Sequence, residues 1–248
     1  MKQPDAVKLT IEKLGGVATL SQINQHIFEI EECLWGGKTP FASIRRIVRH
    51  TNGIYRIKPG VYALEEFRAQ LEAKGIVEQN DKNKESEEVK NFNHSYYQGV
   101  LLEMGKMKRL ETFVPQQDKN RKFLNGSTLG ELRTLDNIPE FSYRNMVQRS
   151  STIDVIWFNE HMMPHSFFEV EHSTDIQNSL LKFNDLRDFF ARMVIVADES
   201  RHQEYKKKLE YDSFKELREN CRVHFLSYDQ LDQQYQQEKQ RQSFDFIV

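Results

Sequence analysis

Cysteine is scarce: Cys33 and Cys221 are the only two in 248 residues, and they stand far apart in the chain. A disulfide framework is therefore not expected, and the composition fits a reducing, cytoplasmic setting. No apolar run is long enough to span a bilayer, and the first residues show no charged-then-apolar start resembling a signal peptide, so no membrane partner is expected. Basic charge is not in excess either. A net charge of −2 excludes a uniformly basic nucleic-acid binder, though it leaves room for local basic patches. There is no Gly-rich phosphate loop, no Ser-centred elbow and no Cys–His dyad. His161 and His165 are four apart, but Pro164 between them argues against a helix presenting both to zinc, and no Cys pair completes such a site.

What is present is an ordinary globular mixture, 29% charged and 38% hydrophobic, enough for one large domain or two small ones. The most informative stretch is Ile153 to Asp175, which reads as two adjacent buried strands joined by a turn. Ile153, Val155 and Trp157 share one face of the first strand, with Asp154 on the other. Glu169 and Glu171 project together from the second, opposite Phe168 and Val170. Three carboxylates converging inside an apolar sheet are costly to bury unless something positive lies between them. Either a nearby Lys or Arg satisfies them, or they hold a divalent cation, and an all-oxygen set suits Mg²⁺.

Asp154…Glu169-Val-Glu171 resembles the core of the PD-(D/E)xK nucleases, in the variant where Glu replaces the usual Lys. The longer run, Ile-Asp-Val-Ile-Trp-Phe through Phe-Phe-Glu-Val-Glu-His-Ser-Thr-Asp to Ser-Leu-Leu-Lys-Phe-Asn-Asp-Leu, is similar to restriction-endonuclease-like proteins. The resemblance implies an α/β fold with a mixed-sheet core and a type II restriction-like endonuclease dependent on Mg²⁺. Asp154 and Glu169 are then metal ligands. Glu171 accepts a proton or binds a second metal, and Lys182 on the following helix supplies the missing positive charge. The family's first helix often adds an acidic ligand; by position that is Glu103, which otherwise pairs with Lys106. The Lys-to-Glu departure leaves an alternative, a catalytically inactive nuclease-fold regulator that binds DNA.

Residues 1–76 read as a separate unit. Pro4 to Leu14 forms an amphipathic helix ended by Gly15-Gly16, Ser21 caps a second helix through Glu32, and Thr39-Pro40 opens a third from Phe41 to His50. Ile54 to Leu64 reads as a hairpin turning at Lys58-Pro59-Gly60. Three helices and a hairpin make a winged helix-turn-helix pattern. Lys38, Arg45, Arg46, Arg49 and Lys58 would then touch double-stranded DNA, with Arg56 also on the wing; the other readings are a solvated basic face or a winged helix that binds protein. The order Gly-Gly-Val-Ala-Thr-Leu-Ser-Gln-Ile, Trp-Gly-Gly-Lys-Thr-Pro, Gly-Val-Tyr-Ala-Leu resembles the HARE-type winged helix, which implies DNA binding.

Residues 77–93 are polar and mixed in charge, a linker by composition, which leaves 94–248 as the nuclease-like domain. That domain is expected to open with a helix from Ser95 to Leu110 and a strand at Thr112. Lys119, Arg121 and Lys122 then sit in a loop. Thr174 caps a helix carrying Ile176, Leu180, Phe183, Leu186 and Phe190 on one side. Strands at Met193–Ala197 and Arg222–Leu226 flank helical segments between Glu204 and Asn220, and Gln230 to Gln242 reads as an exposed tail helix. A homodimer is expected for symmetric double-strand cutting.

Overall fold

A computed structural model describes residues 1–35, 40–80, 82–83, 86–172 and 175–244. Lys38, Thr39 and Thr174, singled out above, lie outside the described residues. The chain divides into two units, Met1–Phe92 with Leu124–Gly126 and the stretch from Gln236, and Asn93–Phe123 with Ser127–Tyr235.

In the first unit, α1 (Gln3–Lys13) starts on Pro4 and buries Ala6, Val7 and Ile11. Gly16 takes a positive φ of 84°, and a Cβ there would lie 2.4 Å from the Phe67 ring, so only glycine lets the chain turn so close to it. The chain then enters a short strand, β1 (Val17–Thr19), too brief to show an alternating pattern in sequence. It pairs antiparallel with β3 (Val61–Leu64), which pairs antiparallel with β2 (Ile54–Lys58). Thr19, not Ser21, caps α2 (Leu20–His26) through a reciprocal box with Gln22, and the helix gives way to a 3₁₀ turn at Ile27 instead of running to Glu32. In α3 (Pro40–His50), Ile44, Ile47 and Val48 point into a core shared with Val7, Ile11, Ile23 and Tyr62. Arg45, Arg46, Arg49 and His50 are exposed on its other side. Lys58, expected on an exposed wing, is buried, and Arg56 is the exposed basic residue of that strand. A short helix, α4 (Arg68–Ala73), follows.

The next helix, α5 (Glu87–Met107), begins well before the expected Ser95, inside the stretch read as a linker. Its start is set locally: the Ser86 hydroxyl accepts from the Val89 N–H at 3.3 Å, and Glu87 and Glu88 complement the helix dipole. Beyond it lies a five-stranded sheet in the order β4 (Glu111–Phe113), β5 (Val155–Phe158), β6 (Pro164–Glu171), β7 (Arg192–Ala197), β8 (Val223–Ser227). The first three strands are antiparallel and the last three parallel, a mixed sheet. Between β4 and β5 stand α6 (Leu129–Leu132), capped by Thr128, and α7 (Arg144–Ser150). The crossovers between parallel strands carry α8 (Ile176–Asp185), α9 (His202–Leu209) and α10 (Lys215–Glu219).

One face of the sheet, with Ile156, Phe158, Phe167 and Ile195, packs under Ile176, Leu180 and Phe183 of α8. α5 lies against β4 and β5 through Thr112 and Trp157, whose indole N–H donates to the Leu101 carbonyl at 3.0 Å. α8 stops at Asp185, so Phe190 does not continue its apolar stripe and is 94% exposed. The final helix, α11 (Tyr228–Phe244), is no exposed tail: Tyr228, Leu231 and Tyr235 are buried, and the Tyr228 ring stacks on Tyr97 with centroids 3.9 Å apart. Both cysteines are free, Cys33 buried and Cys221 exposed. Among the described residues no helix is long and apolar enough to cross a membrane.

Candidate active site

The period-two alternation of β6 places Glu169 and Glu171 on one face, and it is the face covered by α8. Both carboxylates are almost fully buried. Helical spacing brings Ser179 and Lys182, three apart on α8, down onto them. The Lys182 ammonium reaches both oxygens of Glu169, at 2.9 and 2.7 Å, and the Thr152 carbonyl at 3.0 Å. The Ser179 hydroxyl stands 3.0 Å from Glu169 Oε2 and also contacts Glu171 Oε1. One hydroxyl carries one proton, so Ser179 couples the two carboxyl groups. Glu171 is further approached by Arg201 at 3.9 Å, and its carbonyl accepts from the Tyr228 hydroxyl at 3.1 Å.

Asp154 is not in the strand, as expected from its neighbours, but one residue ahead of it. The pairing of Val155 with Phe168 sets Asp154 beside the Glu169 end of β6, and its Oδ2 accepts the Val170 N–H at 2.8 Å. Leaving the pleat early lets its Oδ1 face α5 as well, where His94 Nε2 lies 3.7 Å away. Burial raises the Asp154 carboxyl above the usual carboxylate range, opposed first by His94 and then by the Val170 N–H. Glu169 is pushed up to about 8, by burial first and by the charge of Asp154 second, against the pull of Lys182. The ion pair and the raised value are compatible: one ammonium does not offset burial plus a neighbouring carboxylate.

The sequence therefore points to Asp154, Glu169, Glu171 and Lys182, and the fold gathers them around the ends of β5 and β6. Glu103 lies elsewhere. It is nine residues from His94 on α5, two and a half turns, so it projects from the opposite side, where the Tyr235 hydroxyl donates to it. The α5 residue that faces the Asp154 carboxylate is His94, while Gln98 donates to the Asp154 carbonyl at 3.3 Å. A second residue absent from the sequence reading is Asp118, in the turn after β4, buried and held by Arg121 Nε at 2.8 Å and Gln98 Nε2 at 3.0 Å. Ligand atoms of His94, Asp118 and Asp154 lie within 4.8 Å of one another, a grouping able to hold a metal ion. The one local signal for it was His94 and Gln98 at i and i+4 on one helix face.

Residues 75–246, more than half of the chain, match the family model described as the type II restriction enzyme NmeDI C-terminal domain. No curated protein and no solved structure matches the chain.

Proposed function

The chain belongs to the family of the type II restriction enzyme NmeDI C-terminal domain, and on that footing we propose that it is a Mg²⁺-dependent type II restriction-like endonuclease hydrolysing phosphodiester bonds in double-stranded DNA. The observation that carries the reading is the Lys182 ammonium set on both oxygens of buried Glu169, next to Asp154. This is the grouping expected of a PD-(D/E)xK centre whose lysine has moved from the strand to the following helix.

The residues fit a divalent ion. Burial raises the pKa of both Asp154 and Glu169, and a nearby dication would lower both by favouring the carboxylate. Such an ion supplies a water of lowered pKa and polarises the scissile phosphate. Lys182 contributes a fixed positive charge where the transition state gains negative charge. Thr152 and Glu169 orient that ammonium, so its direction is set before substrate arrives. Glu171 occupies the usual lysine position, but Ser179 and Arg201 engage its carboxylate. It acts as a brace on Glu169.

In the same reading, residues 1–76 are a HARE-type winged helix attached through residues 77–93. α3 enters the major groove with Arg45, Arg46 and Arg49 outward, and Arg56 lies at the flank. Two copies act together for symmetric cutting. The test is digestion of plasmid and phage DNA with Mg²⁺ by the native protein and by Glu169→Ala. Cutting by the native protein alone is the expected result; equal cutting by both removes Glu169 from the reaction. DNA binding without cleavage across several metals and methylation states would instead leave a non-catalytic DNA-binding protein.

A further inference from the structure

We propose that the end of the sheet away from the buried glutamates holds a separate ligand site, one for a phosphorylated nucleoside whose base is unpaired. The phosphate lies on Arg192 and Arg222, and the base on the ring of Phe190. All three line one pocket of about 560 Å³. Small-ligand sites commonly measure roughly 300–1,000 Å³. The pocket is distinct from the proposed active site. Ser166, the register partner of Arg192, stands five residues before Glu171 on β6, about 16 Å along the strand.

Charge points to the anion. Met193 pairs with Val223, so the residues just before them, Arg192 and Arg222, run side by side on neighbouring parallel paths about 4.8 Å apart. Like charges set next to each other across a sheet are destabilising. Neither has a carboxylate partner among the described residues, and no acid lines the pocket. Arg222 donates instead to the Arg187 and Phe189 carbonyls, at 2.7 and 2.8 Å. Those carbonyls fix the guanidinium without neutralising it. His165 and His224 line the same pocket, and His165 registers the local charge. Its pKa is held below the usual imidazole value by burial first, then by Arg192 and Lys108. Two adjacent guanidinium groups left unneutralised suit phosphate, which they grip through paired N–H donors.

The aromatic ring points to the base. Phe190 is 94% exposed in the loop between α8 and β7, and the Arg222 guanidinium lies over its ring at 5.4 Å. A phenylalanine this open forgoes the burial that usually fixes such a side chain. A planar base stacked on it restores that burial, and stacking accepts any base because every base has a π-face. A base inside a duplex has both faces covered by its neighbours, so the ligand is unpaired. A free nucleotide and the single-stranded end of a DNA chain both offer this chemistry. The inference does not rest on DNA cleavage.

Calorimetry on the full chain, in EDTA so that no metal-bound phosphate competes, tests it. The probes are deoxyadenosine 5′-monophosphate, deoxyadenosine, inorganic phosphate and a 5′-phosphorylated single-stranded oligonucleotide. The nucleotide or the strand end should bind saturably, about tenfold or more tighter than deoxyadenosine or phosphate alone. Phe190→Ala and Arg192→Ala should each weaken that binding by about tenfold or more. Both residues are exposed, so the variants should fold, and circular dichroism checks that they do. Binding of the mononucleotide makes a free nucleotide the source; binding of the strand alone makes it a DNA end. No saturable binding of either, phosphate bound as tightly as the nucleotide, or undiminished binding in folded Phe190→Ala overturns the site.

Discussion

Glu169 is stabilised by the fold in its protonated form, and that has a sign. Its pKa rises from an ordinary 4.5 to about 8 on folding, so the folded state holds the proton over that interval and the unfolded chain does not. Its contribution to stability is present below about 4.5 and is lost as pH climbs to about 8. Thermal unfolding without divalent ions should show Tm falling across this window, by the equivalent of a few kcal/mol. Glu169→Gln should flatten that part of the profile, whereas a Tm that climbs over the same range in the native protein contradicts the assignment. Lys182 gives a second expectation. Lys182→Ala should lower the cleavage rate about a hundredfold or more while DNA affinity stays within a few-fold, measured by single-turnover digestion and anisotropy. Asp154, Glu169 and Glu171 were legible because acids at period two among Phe, Val and Ile are conspicuous. His94 and Asp118 were not, since each is unremarkable among its own neighbours and gains meaning only when the chain brings distant segments together.

Two helices show why elements are harder to read than residues. Within α5, glycine normally costs about 0.5–1 kcal/mol relative to alanine. Gly105 reverses that expectation: a Cβ there would lie 2.4 Å from Thr112 Cγ2 and 2.8 Å from Trp157 Nε1. At Gly99 it would lie 2.3 Å from the Phe123 ring. Gly105→Ala should therefore destabilise by about 1–3 kcal/mol, seen as a lower urea midpoint with an unchanged slope. An unchanged or higher midpoint would mean that α5 does not approach β4 so closely. The polar letters of α11 concealed the opposite fact. Its Gln-rich run reads as solvated, yet Leu231 and Tyr235 are completely covered. Apolar residues four apart are too sparse for periodicity to register, while the partners of Tyr228, Asp232 and Tyr235 lie on α5, far away in sequence. The parallel strand β7 was legible for the converse reason: a short continuous apolar run has few other places to go.

For the molecule as a whole, a net charge of −2 means that any grip on DNA is local. The exposed arginines of α3 are the place to look. Replacing Arg45, Arg46 and Arg49 together by alanine should weaken binding to all duplex sequences and lower the slope of log K against log salt by about 2 to 3. An unchanged slope assigns the phosphate contacts to another surface. The expected pairing of two copies on a duplex can be examined through an asymmetry already noted, one buried cysteine and one exposed. A maleimide dye under native conditions has Cys221 to react with and Cys33 shielded, so each chain carries a single fluorophore at a known point of the sheet's rim. Mixing donor-tagged with acceptor-tagged protein then turns subunit counting into an energy-transfer reading, taken without changing a codon.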